Sequence, residues 1–141
     1  MTAAKEIYRV NLFPNPNFKP DGFANGVWDG DHSAEMPGDG TFVPKTGSTN
    51  YSEFRLPELE IGLEYVCSVR CADKLTNFTL WISGIQIWFV MNGGVHTARF
   101  TVQPGDQSTN RIVFNGGHVY SEPQLELAST FDPATAGGVF L

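Results

Sequence analysis

A series of short segments with alternating apolar and polar side chains constrains this chain more than any other feature. In the clearest segment, residues 63–72, one face carries Leu63, Tyr65, Cys67, Val69 and Cys71. This period of two is typical of a half-buried β-strand, because successive side chains of a strand point to opposite faces. Turn residues such as Asn92-Gly93-Gly94 separate the segments, and no stretch has a helical period. The pattern predicts an all-β, antiparallel fold.

Length and composition favour one sandwich domain. The chain has 141 residues, and a domain of this size can bury roughly 68–70% of its extended surface. It contains 11 Phe, 15 Gly and 9 Pro, while only 17% of its residues are charged. Many aromatic and turn-forming residues with few charges suit a β-sandwich better than a helical bundle. We therefore expect a single-domain antiparallel β-sandwich of roughly eight strands.

The charge pattern argues against nucleic acid as a partner. The formal net charge is −6, and the sequence contains no cluster of Lys and Arg that could form a basic patch for nucleic acid. Residues 1–6 lack the apolar segment of a signal peptide. The longest apolar run, residues 85–91, is far too short to span a bilayer. We expect synthesis in a cytoplasm, with neither export by a signal peptide nor membrane insertion.

The segment Asn11-Leu12-Phe13-Pro14-Asn15-Pro16-Asn17-Phe18 predicts a corner at the end of a first strand over residues 4–13. Each Pro lacks an N–H and moves the preceding residue out of the helical region. The Asn side chains can bond their own backbone and stabilise a bend. Phe13 and Phe18 can hold the two sides of this corner in an apolar layer.

This corner segment resembles the opening motif of jelly-roll modules in structural proteins of tailed bacteriophages, which are similar in fold to carbohydrate-binding modules. Residues 59–68 resemble the family's Gly-then-Tyr start of a middle strand. Residues 119–129 resemble its last strand, which ends in a Gln-Leu-Glu run. The three motifs follow the family's order and span most of the chain. The chain departs from the family at Ala128, where Gly is usual, and at Asn17, where Ser or Gly is more common.

The resemblance implies a jelly roll over residues 1–130 and a non-enzymatic role in a virion. A minor tail protein is the preferred interpretation, and a capsid decoration protein is the alternative. Either would contact other virion proteins and form a homo-oligomer. Glycan binding at the host cell surface is a second hypothesis, because of the family's similarity to carbohydrate-binding modules.

Three tryptophans are candidate binding residues: Trp28, Trp81 and Trp88. The last two lie opposite the apolar faces of their predicted strands, where polar residues are expected. They could form an interface with another protein or a platform for sugar rings. If the alternation of apolar and polar residues shifts at Gly84, at least one of Trp81 and Trp88 belongs to the core.

The C-terminal tail, residues 131–141, ends in Val139, Phe140 and Leu141 after two glycines. These three apolar residues would be exposed if the tail extended into water. Two interpretations stay open: the tail docks on a neighbouring subunit, or it folds back on its own sandwich.

The acidic segment with Asp29, Asp31 and Glu35 is the candidate metal site, since oxygen donors in a Gly-rich loop can bind calcium. No other cofactor is expected. Cys67 and Cys71 lie too far apart on one strand to form a disulfide, and we expect two buried thiols. The three histidines, His32, His96 and His118, are interpreted as loop or edge residues.

Overall fold

The computed structural model describes residues 10–13, 34–35, 39–44, 51–75 and 78–131. These residues contain no helix, so none is long and apolar enough to cross a membrane. The strands are β1 (Ala34–Glu35), β2 (Thr41–Pro44), β3 (Tyr51–Arg55), β4 (Glu64–Arg70), β5 (Thr79–Ile82), β6 (Ile85–Trp88), β7 (Val90–Asn92), β8 (Val95–Thr101), β9 (Arg111–Asn115) and β10 (Tyr120–Leu127). The all-β prediction is confirmed.

The strands form two antiparallel sheets that pack as a β-sandwich. The larger sheet has the order β1-β2-β10-β4-β8-β7, in which β1 contributes only two residue pairs with β2. The smaller sheet has the order β3-β9-β5-β6. Strand neighbours in both sheets are mostly distant in sequence, so the register is set by long-range pairing.

An aromatic cluster fills the space between the sheets. Phe42 of the larger sheet lies 4.9 Å from Phe54 and 5.1 Å from Phe114 of the smaller sheet, measured between ring centroids. Phe13 joins them at 5.6 Å from Phe54 and is 2% exposed, as the sequence predicted. Burying each such ring contributes about 1.5–3 kcal/mol, so this cluster stabilises the packing of the two sheets.

A bulge interrupts β10 where the sequence has Pro123. The register with β4 shifts between Ser121 and Gln124, and Glu122 has φ 51°. A proline inside a strand lacks one ladder hydrogen bond, so a bulge or an edge position was expected. The bulge confirms this prediction.

Asn11 bonds the backbone at this bulge. Its Nδ2 donates to Pro123 O at 2.9 Å, and its Oδ1 accepts from Leu125 N at 3.0 Å. Leu12 N also donates to Leu125 O at 2.7 Å. Residues 10–13 thus lie beside β10 without being a strand themselves, which corrects this part of the predicted first strand; residues 4–9 lie outside the described residues.

The sequence predicts a hairpin with arms over residues 85–91 and 95–102; its turn at Asn92-Gly93-Gly94 and its second arm are confirmed, but its first arm is not a single strand. The chain leaves the smaller sheet after Trp88 and enters the larger sheet at Val90. Phe89 lies between them, and its ring stacks on Phe78 with centroids 4.0 Å apart. This aromatic contact holds the chain at the sandwich edge, where it changes sheets.

The turn at Ser83-Gly84 joins β5 to β6 directly. Both residues have positive φ, 53° and 75°, which matches a two-residue hairpin turn. From the sequence, Gly84 is expected at a bulge or at a bend between sheets; the hairpin turn within one sheet corrects this expectation. The tight turn keeps the alternation of β5 and β6 in phase, so Trp81 and Trp88 share the outer face of the smaller sheet.

Candidate binding surface at the sandwich edge

Trp81 lies on the outer face of the smaller sheet, beneath an arginine. The register pairs Trp81 with Gln86 on one side and with Arg111 on the other. The Arg111 guanidinium carbon lies 4.8 Å from the centroid of the Trp81 ring, a cation–π contact. Arg111 Nε also lies 3.5 Å from Glu53 Oε1. Trp81 is therefore half-buried and largely engaged by its own sheet.

Trp88 is the more available ring. It lies on edge strand β6, opposite Thr79, and is 53% exposed. Ile85 on the same strand and Val90 at the start of β7 are also exposed. Neither Trp81 nor Trp88 is a core residue, since the hairpin keeps both on the outer face. The exposed apolar side chains follow the edge where the chain crosses between sheets.

A groove runs along this edge, and we call it the edge groove. It has a volume of about 570 Å³, with Trp88 and Phe131 among its walls. Asn92, Thr97 and Arg99 supply polar groups to the same groove. Aromatic surface beside hydrogen-bonding groups is the usual character of a ligand groove.

Most other candidate residues lie outside the described part of the chain. These are Trp28, Asp29, Asp31, Val139, Phe140 and Leu141. Glu35 is described only through the backbone of β1. The calcium site and the docking of the last three residues therefore stay predictions. The first residue of the predicted tail, Phe131, lies against its own sandwich in the edge groove.

The centre of the outer face of the larger sheet, on β4 and β10, is buried, which the sequence did not indicate, while Arg99 and Glu64 on the same face are about half exposed. Val66, Ser68, Gln124 and Glu126 on this face are each 0% exposed. Gln124 Nε2 donates to Glu126 Oε1 at 2.7 Å, and Thr130 Oγ1 donates to Glu126 Oε2 at 2.8 Å. The turn after β10 therefore folds back toward this face.

The two cysteines are free and buried, as predicted. Burial raises the pKa of Cys67 and of Cys71. His96, in contrast, is not a loop residue: it lies in β8, is 1% exposed and packs edge-on against Phe78 at 5.7 Å. Cys71 lies near Asp73 and His118, a grouping that no spacing in the sequence suggested.

The pKa values of Asp39 and Asp106 are both shifted downward. Hydrogen bonds from Thr41 lower the pKa of Asp39, and hydrogen bonds from Ser108 lower that of Asp106. A general acid at neutral pH needs the opposite shift. These two acids are therefore turn-stabilising groups.

The chain matches no protein-family model, no curated protein and no solved structure. The resemblance to phage jelly-roll modules therefore depends on the three sequence motifs, and the architecture on the observed strand order and register.

Proposed function

We propose that this chain is a non-enzymatic, jelly-roll structural protein of a tailed-phage virion, and most specifically a minor tail protein. It would be made in the host cytoplasm and carried in the particle. A capsid decoration protein is the alternative location. Three observations support the proposal: the order of the three sequence motifs, the pairing of the strands, and an exposed apolar edge.

The pairing of strands is the observation that carries the proposal. Without the short β1 and the edge strand β7, eight strands remain. In a jelly roll, such strands pair first with last, second with seventh, third with sixth and fourth with fifth. The pairs β2–β10, β3–β9, β4–β8 and β5–β6 follow this scheme. The pattern supports the fold that the sequence motifs imply.

The sandwich edge supports a docking role. Ile85, Trp88 and Val90 are 46%, 53% and 70% exposed. Aromatic and aliphatic side chains of this kind are enriched at the centres of protein interfaces. The proposed partner is another virion protein or a second copy of this chain, because a structural module acts by contacting its neighbours.

Fractionated particles test the location. Particles purified from a host that carries this gene would be separated into heads and tails, and each fraction examined by mass spectrometry. A minor tail protein is expected with the tails, and a decoration protein with the heads. A chain that is abundant in the lysate but missing from both fractions would contradict the proposal.

Two matched valines test the docking edge. Val90→Asp places a charge on the edge, and Val119→Asp does so at a similarly exposed valine in the loop before β10. We expect the first variant to be lost from particles and the second to be retained. Equal incorporation of both would overturn docking through this edge.

Light scattering of the purified chain tests self-association through the tail. We expect a defined oligomer for the full chain and a monomer for a chain ended after Gly137. Oligomers of equal mass would show that Val139, Phe140 and Leu141 are not the assembly contact.

A glycan-binding module is the second candidate, favoured by the polar groups beside Trp88 in the edge groove. Binding of host-surface oligosaccharides would be compared in Trp88→Ala and Trp81→Ala. Loss of a stacking ring worth about 1.4 kcal/mol weakens affinity about ten-fold. We expect this loss only for Trp88→Ala, since Arg111 already covers Trp81. Unchanged binding in Trp88→Ala would exclude this groove.

A further inference from the structure

The strand register brings two loops together at one end of the larger sheet. Arg70, the last residue of β4, pairs with Ser121 near the start of β10. Cys71 follows β4, and His118 lies just before β10. The side chains at the end of one strand and at the start of its neighbour therefore share a small volume.

Three metal-ligating side chains converge there. One ligand atom each from Cys71, Asp73 and His118 lies within 4.8 Å of the other two. His118 Nδ1 is 2.8 Å from Asp73 Oδ2. Cys71 is 2% exposed, whereas the side chains of Asp73 and His118 are 59% and 30% exposed. The cluster is thus enclosed on the thiol side and open to solvent on the carboxylate side.

The loop that follows β4 is held in place by hydrogen bonds that use none of these ligand atoms. Cys71 N donates to Gly94 O at 3.0 Å. His96 Nε2 lies 3.0 Å from the backbone oxygen of Asp73. The loop can therefore keep its position while its side chains bind a ligand, and His96 has a positioning role.

We propose that Cys71, Asp73 and His118 bind one thiophilic divalent metal ion of the Zn²⁺ class. Zinc accepts thiolate sulfur, imidazole nitrogen and carboxylate oxygen, at about 2.0–2.3 Å from each. Calcium requires six or more oxygen donors, which this set does not supply. Three protein ligands leave a fourth position for water or for a group from a partner.

Binding releases the proton of the Cys71 thiol as the sulfur–metal bond forms. A rotation of the exposed Asp73 side chain frees His118 from their mutual hydrogen bond and brings the donors to metal-binding distance. The buried sulfur suits metal binding better than nucleophilic catalysis. A small cation can reach the sulfur, whereas a larger substrate could not.

The site does not depend on the proposed function, and it is distinct from the acidic segment of the predicted calcium loop. Its test uses the full chain, freed of metal with a chelator and titrated with CoCl₂. Cobalt bound to a thiolate gives a sulfur-to-metal charge-transfer absorption, and ZnCl₂ added afterwards should remove it. We expect one metal ion per chain.

Four variants assign the ligands. Cys71→Ala should abolish the charge-transfer band, and Asp73→Asn and His118→Ala should weaken binding at least about ten-fold, the lower end of losses found even for outer-shell partners. Cys67→Ala is the matched control, because it removes the other buried cysteine and leaves the cluster intact. Circular dichroism checks the fold of each variant.

The proposal is overturned if the wild-type chain gives no charge-transfer band. It is also overturned if the band persists in Cys71→Ala or disappears in Cys67→Ala. If Cys71→Ala does not fold, His118→Ala decides the question, since its side chain is partly exposed and its loss should spare the core. Unchanged affinity in folded His118→Ala would then contradict the site.

Discussion

Two outward-facing positions, one around Val66 on the larger sheet and one around Val113 on the smaller sheet, are built from the same alternation but differ in their access to water. On the smaller sheet, Trp81 and Val113 are half-buried. On the larger sheet, Val66 and Glu126 are completely buried. The period of a strand shows which residues share a face, but it does not show whether another part of the chain covers that face.

The two faces contain a natural matched pair. Val66 lies directly opposite Glu126 on the larger sheet, and Val113 lies directly opposite Glu53 on the smaller sheet. Glu126 accepts its hydrogen bonds in a buried setting, while Glu53 lies beside Arg111 with 17% of its side chain exposed. The same substitution at the two valines therefore compares a buried with a half-buried position, although Val66 has Arg99 as its second neighbour where Val113 has Thr79.

The largest expected effect comes from Val66→Asp, compared with Val113→Asp. A charge placed at Val66 would be buried opposite a second carboxylate, and we expect a loss of about 3–5 kcal/mol in the free energy of unfolding. At Val113 we expect about 1 kcal/mol, the cost of like charges directly opposite each other in partly exposed strands. Urea denaturation of both variants measures the difference.

Equal losses in the two variants would mean that the faces do not differ in solution. Asn in place of Asp at both positions serves as the control for charge, because it keeps the shape and removes the repulsion. We expect the two Asn variants to differ by less than the two Asp variants.

A smaller effect, of opposite sign, is expected at Ser68. Its Oγ is buried without a hydrogen-bond partner in the described structure. Ser68→Ala removes this group, and we expect stabilisation by about 1 kcal/mol. Ser83→Ala is the control, because the Ser83 hydroxyl donates to Gln103 O at 2.8 Å. Thermal denaturation should show the first variant above the wild type and the second below it.

The smallest effect is expected at two arginines, Arg111 on the outer face of the smaller sheet and Arg99 on the outer face of the larger sheet. Arg111→Lys keeps the charge beside Glu53 but loses the planar contact with Trp81 and the hydrogen bond from Nη1 to Thr109 O at 3.1 Å, for which together we expect about 0.5 kcal/mol. Arg99→Lys, whose exposed partner Glu64 lies at 3.1 Å, should change stability by less. Denaturation at low and high salt separates the ion pair from the stacking, and a loss at Arg99 as large as at Arg111 would contradict the stacking contribution.

Local patterns in the sequence predicted several features well. The strand over residues 63–72 and the bulge at Pro123 both followed from rules that act over a few residues. The break at Phe89 did not, because the ring's partner Phe78 lies earlier in the chain, just before β5. The burial of Val66 was likewise not predicted, because it depends on another part of the chain that covers its strand.

The candidate sites likewise depend on contacts between residues that are distant in the sequence, which local patterns do not predict. An outward position of Trp88 is one of the two alternatives that the sequence leaves open, but the cover over Trp81 comes from the register that pairs it with Arg111. Asp73 and His118 are separated by 45 residues, so no spacing motif could have joined them. Only the pairing of β4 with β10 brings their loops together.

The contact between Asn11 and the bulge of β10 has a consequence for biosynthesis. Asn11 bonds residues 112 and 114 positions later in the chain, and Phe42 pairs with Tyr120 in the same strand. A nascent chain that still lacks β10 leaves its early aromatic residues without the strand beside which they pack. Such long-range topologies fold slowly, in milliseconds to seconds. Chaperones would therefore meet exposed phenylalanines until β10 has left the ribosome.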